Sequence, residues 1–371
     1  MHRTFASLAL LTVLATTAQA QKSWQTEFGI QGGFTRLVAA GSGLDPTDAI
    51  SLPGFNLGNA LPATAGVYAI IPWTQKLAVE TDFAASQFSA GLTVTFLSLG
   101  VRGDYALTKN LYAAAGGALA YNNGLANETQ LAIQGAVGYR FRLTGALSGR
   151  FEGRTSFFGK ASDAGPANAY AFLFGVSTVT SRGRGGATHS SAPAAHRAWR
   201  TQLGIAGGYA DAHLIGAASV TSLAFPGYGG ALGNAFGSVV SQFRAVALPP
   251  TVFAILPIGN KVAIEPGLDI HRFQTGGQTD FSGNLSVRLD YALHGGWYGA
   301  LGGNLHYIKT SGVNAATRPG LNLGWGYRFP IVASVGGRVE ANYTMFGKNS
   351  DLALPPTNIF GLMFGFAMPI K

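Results

Sequence analysis

Six charged residues recur at matching positions in the two halves of this sequence, and they are the side chains best suited to chemistry. The first half carries Glu80, Arg102, Asp104, Arg140, Arg150 and Glu152, and the second half matches them with Glu265, Arg288, Asp290, Arg328, Arg338 and Glu340. Carboxylates and guanidinium groups at fixed spacing can form ion pairs, or they can line a water-filled pathway for ions. The elements that carry them decide between these two possibilities.

The charges recur because the chain contains two copies of one unit. The stretch WQTEFGIQGGF at Trp24–Phe34 returns as WRTQLGIAGGY at Trp199–Tyr209. Further matches follow in the same order: KLAVE at Lys76–Glu80 with KVAIE at Lys261–Glu265, DYAL at Asp104–Leu107 with Asp290–Leu293, and GYRF at Gly138–Phe141 with Gly326–Phe329. Each copy is much longer than a solenoid or propeller repeat and is large enough to be a domain, or half of one.

The first residues, 1–20, have the pattern of a secretory signal peptide. His2 and Arg3 give a basic start, residues 8–14 are apolar, and the small residues Ala18 and Ala20 predict cleavage after Ala20. The apolar run is shorter than the roughly 20 residues that a membrane-spanning helix needs. The mature chain divides into a first copy at 21–180, a polar linker at 181–198 and a second copy at 199–371. Cysteine is absent, so disulfides are excluded.

The composition favours a membrane protein made of strands. Charged residues make up 11% of the chain, glycine reaches 53 residues and the mean hydropathy is +0.22, which is too apolar for an ordinary soluble protein. No segment after the signal is a continuous apolar run of helix length. A closed β-barrel is the remaining membrane-compatible solution, because open sheet edges cannot face lipid. The expected partner is therefore membrane lipid.

The net charge of +9 is not expected to reflect nucleic-acid binding. Four arginines cluster at the junction between the copies: Arg182, Arg184, Arg197 and Arg200. A basic linker is a solvated surface and lacks the basic patch of a nucleic-acid-binding domain.

Alternating residues predict eight strands in each copy. In the opening strand, Trp24, Phe28 and Ile30 share one face, which we assign to lipid, and Glu27 and Gln31 share the inward face. The predicted strands of the first copy are Trp24–Phe34, Ala63–Ile71, Lys76–Ser86, Leu92–Leu107, Leu111–Tyr121, Gln130–Leu143, Ala146–Phe158 and Ala169–Thr180. Those of the second are Trp199–Tyr209, Thr251–Pro257, Lys261–Phe273, Asn284–Leu293, Trp297–Lys309, Gly320–Phe329, Ser334–Phe346 and Asn358–Pro369.

Short and long connections alternate along each copy, as they do in outer-membrane barrels with short periplasmic turns. The longest predicted connections are Arg36–Pro62 and about Ala210–Pro250. The second contains an apolar, helix-compatible piece, Leu232–Leu248, which can be an extracellular loop, a surface helix, a lid or a plug. Aromatic residues near strand ends are expected to form interface girdles: Trp24, Tyr105, Tyr112, Tyr139, Phe141, Trp199, Tyr291, Trp297 and Tyr327.

With its signal peptide, alternating strands, aromatic girdles and inward charges of both signs, each copy resembles the OmpA/OmpX-type family of small outer-membrane barrels. The resemblance covers nearly all of the mature chain, once per copy, and lies in the overall pattern without a short diagnostic motif. It implies an outer-membrane location, with outer-membrane lipid and lipopolysaccharide as partners, and an all-β, antiparallel, up-and-down barrel.

Two arrangements of the copies are possible, and we favour two tandem eight-stranded barrels over the alternative of one sixteen-stranded barrel. The 181–198 linker is longer than a single continuous barrel would need. Trp24–Phe34 pairs with Ala169–Thr180 in the first arrangement and with Asn358–Pro369 in the second. An eight-stranded barrel is filled by side chains, so its inward charges should pair across the lumen. Sixteen strands would leave a water-filled channel.

Catalytic, cofactor-binding and metal sites are not predicted. Asp269 and His271 share a face and His306 points inward, but the first copy has Ala84 and Ser86 where the second has Asp269 and His271. The sequence therefore predicts a non-enzymatic outer-membrane barrel with a structural or surface-interaction role, whose glycine-rich outer loops can meet an extracellular ligand. The alternative function is a porin-like passive channel for small solutes.

Overall fold

The structure, a computed structural model, describes most of the two copies. The described residues are 24–39, 47–52, 66–89, 93–123, 128–143, 147–160, 166–179, 199–214, 219–225, 252–275, 278–312, 314–332, 335–349 and 355–370. The predicted signal peptide, the 181–198 linker and Leu232–Leu248 lie outside them. Within the described ranges, no helix is long and apolar enough to cross a membrane.

The described chain is all β, with nine strands in each copy. Those of the first copy are β1 Glu27–Ala39, β2 Thr47–Leu52, β3 Val67–Pro72, β4 Leu77–Ser89, β5 Thr93–Ala106, β6 Leu111–Asn123, β7 Glu128–Arg142, β8 Leu147–Phe158 and β9 Ala167–Val179. Those of the second are β10 Gln202–Leu214, β11 Ser219–Phe225, β12 Val252–Pro257, β13 Val262–Thr275, β14 Gln278–Ala292, β15 Trp297–Thr310, β16 Ala316–Val332, β17 Val335–Phe346 and β18 Thr357–Pro369.

Each copy closes on itself, which confirms the predicted pair of eight-stranded barrels. Strand β1 pairs with β9 along its whole length, from Glu27 opposite Val179 to Ala39 opposite Ala167. Strand β10 pairs with β18 in the same way. Each copy has nine strands, but two short ones share a single place in the eight-stranded barrel. Strands β2 and β3 lie end to end along β1, and β11 and β12 lie end to end along β10. All pairings are antiparallel.

The split position corrects the prediction of one long loop after the opening strand. Part of the predicted Arg36–Pro62 loop forms β2, and part of the predicted Ala210–Pro250 loop forms β11. Residues 27–30 of β1 pair with β3, and residues 33–37 pair with β2. Gly33, where β1 changes partner, has a φ of +153°, and Gly208 in the second copy has +150°. A Cβ on Gly33 would lie 2.2 Å from a backbone oxygen of β9, so the second glycine of the repeated Gly-Gly is needed here.

The outer halves of the two barrels are joined by a reciprocal exchange of strands. Besides pairing with its own β1, β2 pairs with β13 of the second copy, and Leu52 lies opposite Ile270. Strand β11 pairs with β4 of the first copy, and Phe225 lies opposite Ala85. Around the outer edge, the strand order runs through both copies and returns to β1 after sixteen strands. Around the inner edge, β3 and β12 close each barrel separately.

The inner halves pack against each other through apolar side chains. Ile30, Val67 and neighbouring residues of the first barrel form one buried cluster with Ile205 and Met368 of the second. The rings of Phe28 and Phe366 meet edge to face at a centroid distance of 5.6 Å. These residues point away from their own lumens, so each barrel shields part of the other's outer wall.

The remaining outer wall is an apolar belt. Exposed large apolar residues follow the strands of both barrels, including Leu99, Val101, Leu131, Ile133, Val137, Leu285, Val287, Leu289, Leu321 and Leu323. Tyr105, Tyr139, Tyr291, Trp297 and Tyr327 are also exposed, as a girdle requires. A closed antiparallel barrel with an apolar exterior is the architecture of an outer-membrane β-barrel.

Candidate functional site: the inner lumens

The charges that recur in both copies lie inside the inner halves of the two barrels. Cross-strand pairing puts opposite charges side by side, because Glu80 on β4 lies opposite Arg102 on β5, and Glu265 on β13 lies opposite Arg288 on β14. Arg150 and Glu152 are two residues apart on β8 and therefore share its inward face. The alternation of side chains along each strand, together with the pairing between strands, therefore places these charges at one level of the lumen.

In the first barrel, two arginines hold two glutamates in a continuous ion-paired cluster. Arg102 donates to Glu80 at 2.6 Å and to both oxygens of Glu152 at 2.9 and 2.6 Å. Arg150 donates to both oxygens of Glu80. Asp104 lies 3.5 Å from the Nε of Arg102. The side chains of these five residues are at most 2% exposed, so water is excluded from the cluster.

The second barrel repeats this geometry with its own residues. Arg288 donates to both oxygens of Glu340 at 2.5 and 2.6 Å, and its distance to Glu265 is 2.9 Å. Arg338 donates to the other oxygen of Glu265. Asp290 lies 3.3 Å from the Nε of Arg288. Since both copies build the same cluster, the arrangement belongs to the repeated unit.

Arg140 and Arg328 occupy equivalent positions but use different partners. Arg140 donates to Glu27 on β1, and Ser177 donates to the second oxygen of Glu27 at 2.7 Å. Arg328 donates to Asp290 at 3.1 Å. All twelve recurring charges therefore lie in inner lumens and have ion-pair partners there.

The tryptophans that open each copy are not girdle residues, contrary to the sequence prediction. Trp24 and Trp199 are buried, and the guanidinium groups of Arg140 and Arg328 lie 4.6 and 3.6 Å from their ring centroids. This cation–π contact favours the buried position of each tryptophan ring, because the interaction is stronger when the arginine is removed from water. Tyr112 is also inside the lumen, where its ring meets Trp24 edge to face.

A tyrosine completes each cluster from the neighbouring strand. The hydroxyl of Tyr112 donates to Glu152 at 2.6 Å, and that of Tyr298 donates to Glu340 at 2.5 Å. Glycine makes room for the ring: a Cβ on Gly138 would lie 2.2 Å from Tyr112. The tyrosine thus provides a hydrogen bond and fills the lumen cross-section at the level of the charges.

One ion pair of the first barrel lies outside the set of recurring charges, although the alternation of β4 and β8 places both of its residues inward. Arg154 donates to Asp82 at 2.9 Å and to Glu152 at 2.8 Å, and all three side chains are buried. The positions equivalent to Asp82 and Arg154 hold Gly267 and Asn342 in the second copy. The second copy therefore lacks both charges. This joint absence could have identified the pair from the sequence, because losing only one charge would leave the other buried without a compensating partner.

The residues weighed as a possible catalytic group lie further out, in the second barrel. Asp269 and His306 are buried, and the Nε2 of His306 lies 3.0 Å from the Oγ of Ser282. The side chain of His271 lies outside the described part of the structure. Among the described residues, no three His, Cys, Asp or Glu side chains form a group that could hold a metal ion.

No family model matches the chain, and no curated protein matches it in sequence. Solved structures with similarity to it include neisserial surface protein A, at 14% identity over 46% of this chain and 97% of that chain, with a TM-score of 0.26. The CymD monoaromatic hydrocarbon channel is 9% identical over 98% and 92%, with a TM-score of 0.28. A Pseudomonas aeruginosa FadL homologue is 10% identical over 92% and 89%, with a TM-score of 0.26.

Proposed function

We propose that this chain is a sealed, non-enzymatic outer-membrane double barrel with a structural or surface-interaction role. The observation that carries the proposal is the buried ion-paired cluster in each inner lumen. A conducting pore needs a continuous column of water, whereas Glu80, Arg102, Glu152, Glu340 and Asp290 are at most 2% exposed. Both lumens contain such a cluster, so solutes find no open path through either barrel.

The proposed role places the contacts with other molecules on the outer side. The exchanged strands β2 and β11 join the two barrels there. The connections from β1 to β2, from β8 to β9 and from β13 to β14 follow the outer ends of these strands and contain glycine, which favours adaptable contacts with a surface partner. Membrane lipid and lipopolysaccharide would contact the apolar belt.

A porin-like passive channel is the second candidate, and one observation favours it. The shared outer edge passes through sixteen strands, a number typical of barrels with an aqueous interior. A channel would require the ion-paired clusters of the inner halves to open, because they lie below this shared edge.

Single-channel recording in planar lipid bilayers tests the proposal. The refolded full-length protein should insert without conductance steps at moderate voltage. Liposome swelling in a small sugar should match that of protein-free liposomes. Stable steps of porin size would overturn the sealed-barrel proposal and favour the channel. A known porin, reconstituted in parallel, controls for failed insertion.

A further inference from the structure

The inner rim of the first barrel carries three exposed basic residues, Lys76, Lys109 and Arg142, which we call the basic arc. Each lies in or beside a connection at the inner ends of the strands. The backbone oxygen of Lys76 accepts from the N–H of Ala106 at 2.8 Å, so its turn adjoins the turn that contains Lys109. The backbone oxygen of Asn110 accepts at 2.7 Å from an N–H near the inner end of β7, where Arg142 is the last residue. The arc therefore follows three consecutive connections around the rim.

Acidic residues do not offset this charge at the inner rim. The described inner turns and strand ends contain no Asp or Glu at 72–76, 107–110, 142–143, 257–261 and 292–296. The carboxylates closest to the arc in sequence, Glu80 and Asp104, are fully buried beside the arginines of the lumen. The described part of the rim therefore presents positive charge to its surroundings, while the negative charge of the inner half is enclosed.

Each basic residue of the arc has an exposed apolar neighbour within three positions, namely Trp73, Leu107 or Leu143. Trp73 is 73% exposed, although it lies in a tight turn in which the Oγ1 of Thr74 accepts from the N–H of Lys76 at 3.2 Å. An apolar side chain beside a long, flexible cation suits the membrane interface, where the first contacts acyl chains and the second reaches the head groups. A soluble anion would leave these apolar side chains in water, so the arc fits a lipid better.

The second barrel lacks most of the arc. Lys261 is equivalent to Lys76, but Gly295 and Pro330 occupy the positions of the other two basic residues. The exposed turn of Lys261 carries Ile258 in the place of Trp73. The concentration of positive charge therefore belongs to the first copy, unlike the lumen clusters, which both copies share.

We propose that the basic arc binds the head groups of anionic phospholipid in the inner leaflet of the outer membrane. Short barrel turns face the periplasm, so the arc lies at the level of that leaflet. A head group with net negative charge attracts the ammonium and guanidinium groups of the arc. A zwitterionic head group carries its own cation, which competes with them. The inference goes beyond the sealed-barrel proposal, because a sealed and a conducting barrel would carry the same arc.

Native mass spectrometry of the refolded full-length protein, released from detergent micelles that contain equal amounts of phosphatidylglycerol and phosphatidylcholine, tests this site. Wild-type protein should retain phosphatidylglycerol in preference to phosphatidylcholine. The triple variant Lys76→Gln, Lys109→Gln, Arg142→Gln should lower this preference at least about fivefold. Each basic residue near anionic lipid contributes about 1 kcal/mol, which is a factor of about five in an equilibrium constant.

The matched control removes the same charge from the outer side of the molecule. Lys160, Lys309 and Lys348 are exposed at or beyond the outer ends of β8, β15 and β17. The variant Lys160→Gln, Lys309→Gln, Lys348→Gln should keep the lipid preference of wild type. Heat-modifiable gel mobility verifies that both triple variants are folded.

Two results would overturn the proposal. One is equal retention of the two phospholipids by folded wild-type protein; if that protein also sediments with purified peptidoglycan and the arc variant does not, the arc binds the cell-wall polymer instead. The other is an equal loss of preference in the arc variant and the control, which would mean that total charge determines retention. Neither result concerns the sealed lumen, which the conductance measurement tests separately.

Discussion

Replacing Glu80 with glutamine tests the role of the lumen cluster most directly. Glu80 is fully buried and receives hydrogen bonds from Arg102 and from both terminal nitrogens of Arg150. Glutamine preserves the size of the side chain but removes the charge that compensates two guanidinium groups. Breaking a buried ion pair by removing one partner costs about 3–5 kcal/mol. We therefore expect Glu80→Gln to lower the free energy of unfolding by about that amount.

Urea unfolding of protein refolded into lipid vesicles, followed by tryptophan fluorescence and by heat-modifiable gel mobility, measures this change. The equivalent variant in the second barrel, Glu265→Gln, should behave similarly because it faces Arg288 and Arg338. The matched control is Asp48→Asn, whose partner Arg36 has a half-exposed side chain. Exposed ion pairs contribute little, so this variant should unfold close to wild type.

The result also separates a structural cluster from a gate. If the charges hold the barrel together, Glu80→Gln is less stable and remains non-conducting, because the substituted glutamine side chain still fills the space. A change in unfolding free energy below about 1 kcal/mol would refute the stabilising role, since it is less than a buried pair requires. The appearance of large conductance in the folded variant would show that the cluster controls a pathway.

Three further predictions follow from the same structure. Asp82→Gly and Arg154→Asn introduce the residues of the second copy. Together they should lower the free energy of unfolding by less than the sum of their separate effects, with a coupling of about 0.5–3 kcal/mol in a double-mutant cycle. Additive effects would contradict the pairing. Gly33→Ala should lower unfolding free energy by more than about 1 kcal/mol, whereas Gly103→Ala, whose added Cβ meets nothing closer than 3.8 Å, should not. Protease cleavage engineered within 181–198 should leave the two halves co-purifying in detergent, and separate folded halves would contradict the strand exchange.

Strand alternation predicted much of the fold and the lumen cluster. Glu80, Asp104 and Glu152 were assigned inward because they alternate with apolar residues such as Val79 and Phe151, and all three lie in the lumen. The pairing of Trp24–Phe34 with its own copy was one of two alternatives, and β1 pairs with β9. The period-two pattern is informative here because the lipid-facing side of each strand requires apolar residues, whereas the lumen-facing side carries polar and charged ones.

The strand exchange could not be predicted from the sequence. The alternation of apolar and polar residues shows which face of a strand points inward, but it does not show which other strand pairs with it. Thr47–Leu52 is a short segment followed by Pro53, and nothing in it identifies β13 of the other copy as its second neighbour. The location of Trp24 and Trp199 was wrong for a related reason. Tryptophan at a strand end usually lies at the membrane interface, but here each ring covers an arginine of the inner lumen.

The inner and outer levels of the molecule constrain the two copies differently. Below the exchange, β3 and β12 close each barrel separately, so each lumen requires its own complete set of compensating charges. Above the exchange, β2 and β11 connect the barrels along a shared edge, so the two copies enclose the outer space together and need not match residue by residue. The substitution of Ala118 and Ala120 by Asn304 and His306 lies at this outer level. The repeated Gly-Gly at residues 32–33 and 207–208 is retained in both copies because both opening strands change partner at that boundary.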